Sequence, residues 1–309
     1  MVARAVLPAL ASPARASCRS RAPEGLRLLT GAALTIALAA SAALPREASW
    51  LVALALVIGL GVPHGALDGA VAAALLRPRY GRVWFGVFAL PYLGLAALVL
   101  LAWQLAPMAA LAGFLALSVL HFGEEDAGPG RPFEALVRGG LPIALPALLR
   151  PDETAGLFAA VTCVPMPHLV GWWVAAAWLW LILAVVWLLI HRRRGAVPVE
   201  MAALAVAFAL LPPLTAFTLY FIGLHAPRHM RALVRDPIRA PGVDTMDKAV
   251  RAALPVFGLT LLLGAALWPL YAAGANTSAA ALLCLTLQML SALTVPHVLL
   301  DRIVSKFKK

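Results

Sequence analysis

Five histidines of this chain lie in apolar segments, where ionisable side chains are costly and therefore mark functional sites. They are His64, His121, His225, His229 and His297. A single histidine at such a place is usually a hydrogen-bonded core residue, but five at membrane depth favour a shared role. Imidazole binds iron, zinc and copper, so the residue type predicts a metal centre and leaves the metal open.

His225 and His229 have the spacing of two ligands on one helical face, because residues four apart lie one above the other. Pro227 stands between them and has no N–H with which to continue a helix from the preceding segment. We therefore expect a new helix to start near Pro227, rather than an undisturbed helix running through it.

Asp68 follows His64 by four residues and would face the same side of a helix. A carboxylate there can accept the second N–H of a metal-bound imidazole and so orient it. The alternative is an ion pair with a basic group such as Arg77. We assign Asp68 a catalytic role on the first interpretation.

Glu124 comes directly after the histidine motif LHFG, together with Glu125 and Asp126. These acids could accept hydrogen bonds from ligand histidines or form a charged gate for a substrate. They could equally be a solvated loop. On the first interpretation we assign a catalytic role to Glu124.

The remaining histidines of the apolar region and the cysteines are not expected to bind metal. His168 precedes the aromatic run Gly-Trp-Trp and His191 precedes three arginines, which is typical of the membrane interface. Cys18, Cys163 and Cys284 are widely spaced and predict neither a disulfide nor a thiolate site.

The composition is that of an integral membrane protein. Hydrophobic residues make up 62% of the chain and charged residues 13%, and the mean hydropathy is +0.89. Soluble domains have about 45–50% apolar and about 25% charged residues, so a soluble fold is excluded. The net charge of +11 comes from basic clusters in short connecting segments, as in cytoplasmic loops, and nucleic acid is not an expected partner.

The fold class predicted from hydropathy is all-α, a polytopic transmembrane helical bundle with about eight spans, in a range of about seven to nine. The candidate spans are 27–44, 49–76, 82–103, 107–123, 168–190, 199–224, 251–273 and 277–300, with a weaker candidate at 133–149. We expect three parts: a basic N-terminal tail at 1–26, one transmembrane domain at 27–302 and a basic C-terminal tail at 303–309.

One segment between His121 and His225 must be irregular if both are to reach the same face of the membrane. Either 133–149, interrupted by Arg138, lies in the interface, or 199–224, interrupted by Pro212 and Pro213, is a hairpin or re-entrant element. The sequence leaves this choice open.

Four motifs resemble, in order, those of the Brp/Blh family of bacterial and archaeal β-carotene 15,15′-dioxygenases. They are PHGALD (63–68), LHFGEED (120–126), YFIGLHAPRH (220–229) and TVPHVLLD (294–301). The resemblance extends from about residue 50 to 302, and four motifs in order are more specific than any one of them.

The resemblance implies a membrane enzyme that cleaves the central double bond of β-carotene with O2 and gives two molecules of retinal. It implies non-haem Fe(2+) held by His64, His121, His225 and His229, with His297 as an accessory or alternative ligand. It also implies that β-carotene or a related carotenoid, O2 and the lipid bilayer are partners, that the location is the cell membrane, and that a rhodopsin receives the product.

Three other functions stay open on the residues alone. A membrane iron oxygenase acting on another lipid typically has many clustered histidines, whereas only His225 and His229 have such spacing here. A transporter using histidine and aspartate as a proton relay would show repeat symmetry and paired broken helices, and we predict only the Pro212–Pro213 break. A haem- or quinone-binding subunit would leave the acidic cluster without a role.

Overall fold

The computed structural model describes residue 40, residues 43–191 and residues 195–306, and the predicted tail 1–26 lies outside this range. Every regular element in the described ranges is helical. In chain order they are α1 (Arg46–Leu56), a π-helical segment π1 (Val57–Gly61), a 3-10 turn (Val62–Leu67), α2 (Asp68–Tyr80), a second 3-10 turn (Gly81–Val83), α3 (Trp84–Leu105), α4 (Pro107–Ala127), α5 (Pro132–Leu149), α6 (Pro151–Thr162), α7 (Gly171–His191), α8 (Ala196–Leu210), α9 (Pro213–Tyr220), a second π-helical segment π2 (Phe221–His225), α10 (Ala226–Val234), α11 (Met246–Gly274) and α12 (Ser278–Lys306).

The polytopic all-α architecture is confirmed. Within the described residues, the helical segments long and apolar enough to cross a membrane are Arg46–Leu105, Pro107–Ala127, Pro132–Leu149, Gly171–His191, Met246–Gly274 and Ser278–Val304. The first of these contains two of the predicted spans, which meet at Gly81, where φ is +53°. The predicted span 27–44 lies almost entirely outside the described residues, so the predicted number of spans is approximate.

The irregular segment between the histidine motifs is 199–224. Helix α8 ends at Leu210 and α9 begins at Pro213, because two successive prolines supply no N–H to continue the helix. The segment 133–149 is instead one continuous helix, α5. Its Arg138 is buried and donates to Glu134 at 3.4 Å and to Glu200 at 2.8 Å, so two carboxylates compensate the buried charge.

Helix α4 is held against α5 by direct contact of the two backbones. A Cβ atom at Gly123 would collide with the carbonyl oxygen of Ala135, and one at Gly139 would collide with the carbonyl oxygen of Val119. Small residues permit this close approach, which is the usual way in which membrane helices associate. The contact fixes the end of α4 that carries the LHFGEED motif.

Two π-helical segments interrupt the helices that lead to histidine motifs. In π1 the N–H of Val62 bonds to the carbonyl of Val57, and in π2 the N–H of Ala226 bonds to that of Phe221. In each case a proline, Pro63 or Pro227, stands at the second position after the segment, and it cannot donate to the preceding turn and crowds it. Such widened turns occur frequently at functional sites.

Candidate metal centre

The five histidines of the apolar segments converge on one place in the bundle. His64 lies in the first 3-10 turn, His121 on α4, His225 at the end of π2, His229 on α10 and His297 on α12. None of them is more than 7% exposed. Pairs of ring centres 5.1 to 5.9 Å apart link all five. The structure thus brings together every histidine predicted to be a ligand and the accessory His297.

A carboxylate completes this cluster. Three sets of donor atoms lie within 4.8 Å of one another, and they are His64, His121 and His297; His121, Glu125 and His225; and Glu125, His229 and His297. Because neighbouring sets share a residue, they form one continuous group of donors rather than three separate sites. We call the five histidines and Glu125 the donor cluster.

Three of the histidines have one ring nitrogen fixed by a hydrogen bond. Nδ1 of His64 donates to the Gly61 carbonyl at 2.5 Å, and Nδ1 of His229 donates to Oε1 of Glu125 at 2.6 Å. Nδ1 of His297 donates to both oxygens of Asp68, at 2.8 and 2.9 Å. An acceptor on one imidazole nitrogen sets the tautomer and the ring orientation, and it leaves the other nitrogen as a metal donor.

Several donor atoms of the cluster are buried without a partner. They are Nε2 of His229 and His297, both ring nitrogens of His225, and Oε2 of Glu125, which have no hydrogen-bond partner in the described part of the chain. Buried polar atoms are rarely left unpaired, so this concentration needs an explanation. Imidazole nitrogens and a carboxylate oxygen are donors for a divalent transition metal. The cluster therefore fits a metal ion.

Asp68 is at the site but contacts a different histidine from the one expected. Its spacing in the sequence predicted a contact with His64, four residues earlier, whereas its carboxylate binds His297. The reason is local: the 3-10 turn at Val62–Leu67 changes the helical register, and His64 bonds to the carbonyl of Gly61 instead. Tyr92 donates to Oδ2 of Asp68 at 2.9 Å and fixes the carboxylate from α3.

Glu124 lies away from the donor cluster. Its side chain is 54% exposed and accepts a hydrogen bond from Arg302 at 3.0 Å. The contact expected of it is made by its neighbour Glu125, which stands four residues after His121 and so faces the same side of α4. This i, i+4 spacing from His121 is the sequence signal that could have identified Glu125.

A charged network surrounds the end of α4 next to the donor cluster. Arg228 donates to Asp126 at 2.8 Å and also binds Glu200, which in turn accepts from Arg138 at 2.8 Å. Tyr220 donates to the other oxygen of Asp126 at 2.9 Å. The network ties α4, α5, α8 and α10 together, so it holds the helices that carry His121 and His229.

The two histidines excluded from the site are elsewhere. His191 stacks on Trp187 with ring centres 4.7 Å apart, and its Nδ1 donates to the Trp187 carbonyl at 3.0 Å. His168 is exposed in the segment before α7. Both lie outside the donor sets found among the described residues.

A family of known proteins matches the region of the chain that contains this site. A family model described as "Beta-carotene 15,15'-dioxygenase" matches residues 55–305, a range that contains the whole donor cluster. The chain belongs to this family. The resemblance inferred from the four motifs is therefore confirmed.

Two curated proteins match over most of their length. "Beta-carotene 15,15'-dioxygenase" of the uncultured marine bacterium 66A03 is 28% identical over 265 residues, which is 80% of this chain and 91% of the relative. "Probable beta-carotene 15,15'-dioxygenase Blh" of Halobacterium salinarum is 32% identical over 291 residues, 80% of this chain and 81% of the relative. No solved structure matches the chain.

Proposed function

We propose that this protein is a carotenoid-cleaving dioxygenase of the membrane, which cleaves the central 15,15′ double bond of β-carotene with O2 to give two molecules of retinal. The observation that carries the proposal is the buried donor cluster, in a chain whose family match spans it. A polyene hydrocarbon is dissolved in the bilayer, so an enzyme among membrane helices can take it up from the side. The cell membrane is the corresponding location, and transfer of retinal to a rhodopsin stays a prediction.

The proposed metal is non-haem Fe(2+), with His64, His121, His225 and His229 as ligands. His297 is the accessory ligand, because its unpartnered Nε2 is directed to the same place. When bound, ferrous iron would supply the O2 chemistry that the protein side chains lack. Neutral imidazoles leave most of the charge of the ion in place, and Glu125 is the one carboxylate in the donor sets of the described residues.

The surrounding residues orient and shield these ligands. Glu125 holds the ring of His229, and Asp68, itself held by Tyr92, holds the ring of His297. Phe122 and Phe221 line the cavity beside the histidines, where they exclude water from the reacting groups. Their role is to keep the ligand set in one geometry and the substrate in a dry chamber.

The role proposed for Glu124 in the sequence analysis passes to Glu125. The exposed ion pair of Glu124 with Arg302 gives it no contact through which to act on the described donor set. Asp68 keeps a positioning role, now toward His297. We therefore expect substitutions of Asp68 and Glu125 to change the metal site, and substitution of Glu124 to leave it intact.

The transporter alternative gains one feature from the structure, because two broken helices do meet at the site. The donor set does not favour a proton relay, however. A relay needs hydrogen-bonded links between its groups, whereas several inward-facing atoms of the donor cluster have no hydrogen-bond partner in the described residues. Metal ligation accounts for these atoms.

The experiment is expression of the chain in cells engineered to accumulate β-carotene, followed by extraction and chromatography. We expect retinal to appear and the orange substrate to disappear. The His225→Ala variant should abolish both changes, and the His191→Ala variant, altered outside the cluster, should behave like the wild type. Persistent β-carotene in cells that contain folded, iron-loaded protein would overturn the proposed substrate.

A further inference from the structure

A chamber beside the histidines continues into two apolar arms on different sides of α12. The chamber contacts His64, His121 and His297. The first arm, here the α11 arm, runs between α11 and α12 and shares Val62, Thr260 and Leu293 with the chamber. The second, the α6 arm, is enclosed by α4, α5, α6, α9 and α12 and shares Phe114, Ser118 and Phe217 with it.

Leu290 lines the chamber and both arms, and from there both arms run toward the N-terminal end of α12, to Leu282 in the α11 arm and to Leu287 in the α6 arm. A conjugated polyene is stiff, because rotation about its bonds interrupts conjugation. Its two halves therefore cannot both fold back along one helix from a common point. At most one arm can hold half of a polyene whose central bond is in the chamber.

The shape and lining favour the α11 arm for this role. It follows α12 from Leu293 to Leu282, which is about 16 Å at about 1.5 Å per residue. On α11 its wall includes Thr260, Gly264 and Trp268, which recur every fourth residue on one face. The small Gly264 leaves width beside α12, and the Trp268 indole supplies an aromatic surface farther along the arm.

The lining of the α11 arm is also chemically suited to a hydrocarbon. The hydroxyl of Thr260 donates to the Val256 carbonyl at 3.0 Å, so its one donor proton is bonded within its own helix. Leu261, which lines the arm, is itself 44% exposed on the outer face of the bundle. The arm therefore borders the surface from which a bilayer-dissolved molecule would enter.

The α6 arm differs from the α11 arm in the exposure of its lining and in its length. Its wall includes Leu111, Leu115 and Leu214, which are at most 5% exposed, and none of its lining residues is exposed on the outer face of the bundle. Along α4 it extends from Ser118 to Leu111, about 10 Å. It is shorter than the α11 arm and lacks the exposed border.

From this we infer that one half of the carotenoid binds in the α11 arm, with its cyclic end toward Trp268 and its central double bond in the chamber beside the histidines. The inference rests on the proposed carotenoid cleavage and adds the place and direction of binding. It makes Gly264 the specificity-determining position, because a Cβ there would lie 3.4 Å from Sδ of Met289 and any larger side chain would fill the arm.

The first test is to fill the arm. Gly264→Trp should lower β-carotene cleavage at least about tenfold, as expected for overpacking a fitted cavity. Its iron content should stay at the wild-type level. An apocarotenoid with one ring can place its truncated end in the narrowed arm and should lose less than about threefold. Gly264→Leu provides a milder version if the tryptophan variant does not fold.

Two variants serve as controls. Leu262→Trp adds the same ring to α11 at a position that is 69% exposed, and it should leave cleavage of both substrates unchanged. Leu157→Trp narrows the α6 arm and should affect β-carotene less than Gly264→Trp does. Equal loss of both substrates in Gly264→Trp, or a loss in Leu157→Trp with none in Gly264→Trp, would overturn the inference.

Binding can be measured without turnover. We expect His225→Ala protein purified from carotene-accumulating cells to retain carotenoid that absorbs visible light. Adding Gly264→Trp to this variant should remove most of that absorbance, whereas adding Leu262→Trp should preserve it. Retention in both double variants would contradict binding in the α11 arm. Failure of the wild type to cleave either substrate would instead contradict the proposed function.

Discussion

The two π-helical segments use one backbone design to present different residues to the metal centre. Segment π1 reads VIGLG and is followed by Val-Pro-His, and π2 reads FIGLH and is followed by Ala-Pro-Arg-His. Ile-Gly-Leu and the following proline occupy equivalent places in both. The two segments pack against each other, so both interruptions of regular α-helix, here called breaks, lie at the same place in the bundle.

The residues at equivalent places have different roles. Gly61 in π1 corresponds to His225 in π2, and Gly65 corresponds to His229. In π2 the side chains are two donors, whereas in π1 the glycine leaves room for the ring of Phe221 and lends its carbonyl to His64. One break therefore supplies ligands, and the other supplies one ligand and the space that the first requires.

The largest expected effects follow from removing donors at either break. His225→Ala at π2 and His64→Ala after π1 should each remove bound iron and lower carotenoid cleavage more than about a hundredfold, since loss of a ligand exceeds loss of its hydrogen-bond partner. The measurement is iron per chain by elemental analysis, together with retinal formation. His191→Ala is the control, and a similar loss in that variant would discredit the donor assignment.

The next effect separates the two adjacent glutamates of α4. Glu125→Gln should weaken iron binding about 10- to 100-fold, because Glu125 orients His229 at the second break and offers an oxygen to the site. Glu124→Gln should change it little, since its exposed pair with Arg302 is worth at most about 1 kcal/mol. Iron titration of the demetallated variants tests this difference, and equal affinities for the two variants would refute it.

Substitution of Asp68, which follows π1 in the chain, should have a smaller effect on iron binding. Asp68→Asn keeps an acceptor for His297 but removes the negative charge, so we expect iron affinity to fall about tenfold, the lower end of the range for such partners. Tyr92→Phe removes the hydroxyl that donates to Asp68 and to the Leu293 carbonyl, and it should lower the iron affinity less than Asp68→Asn does. Spectra of the cobalt-substituted proteins would report a changed ligand field, and spectra identical to the wild type in both variants would count against ligation by His297.

The smallest expected effect is on stability, and it follows from the packing of π1 against π2. Gly61→Ala would place a methyl group against the Phe221 ring and should lower the free energy of unfolding by about 1–3 kcal/mol. Gly59→Ala, in the same segment with open space around its Cβ position, is the matched control and should be nearly neutral. Thermal unfolding in detergent measures both, and equal stability of the two variants would contradict the close packing of π1 on π2.

The sequence was sufficient for the membrane fold, the family and the convergence of the five histidines, because long apolar runs and histidine motifs are local signals. It was insufficient for contacts that depend on helix register. The pairing of Asp68 with His64 assumed a regular helix, and the 3-10 turn after π1 changes that register. Arg138 looked like an interruption in 133–149 because its partner Glu200 is distant in the chain.

The two π-helical segments were not predicted from the sequence, in which Pro212–Pro213 was the one predicted break. The shared pattern covers only Ile-Gly-Leu and a proline, and it is too short to stand out in a chain rich in these residues. Its significance comes from the packing of π1 on π2, which only the folded structure shows. The same applies to Glu125, whose contacts with His225 and His229 join distant parts of the chain.

The most direct test of the metal centre is removal and return of iron in the purified protein. After complete demetallation with a chelator, we expect β-carotene cleavage to be lost, and Fe(2+) added anaerobically before O2 should restore retinal formation in proportion to the iron bound. The His225→Ala protein treated in the same way should recover neither iron nor activity. Cleavage of β-carotene that persists in fully demetallated protein would contradict the account.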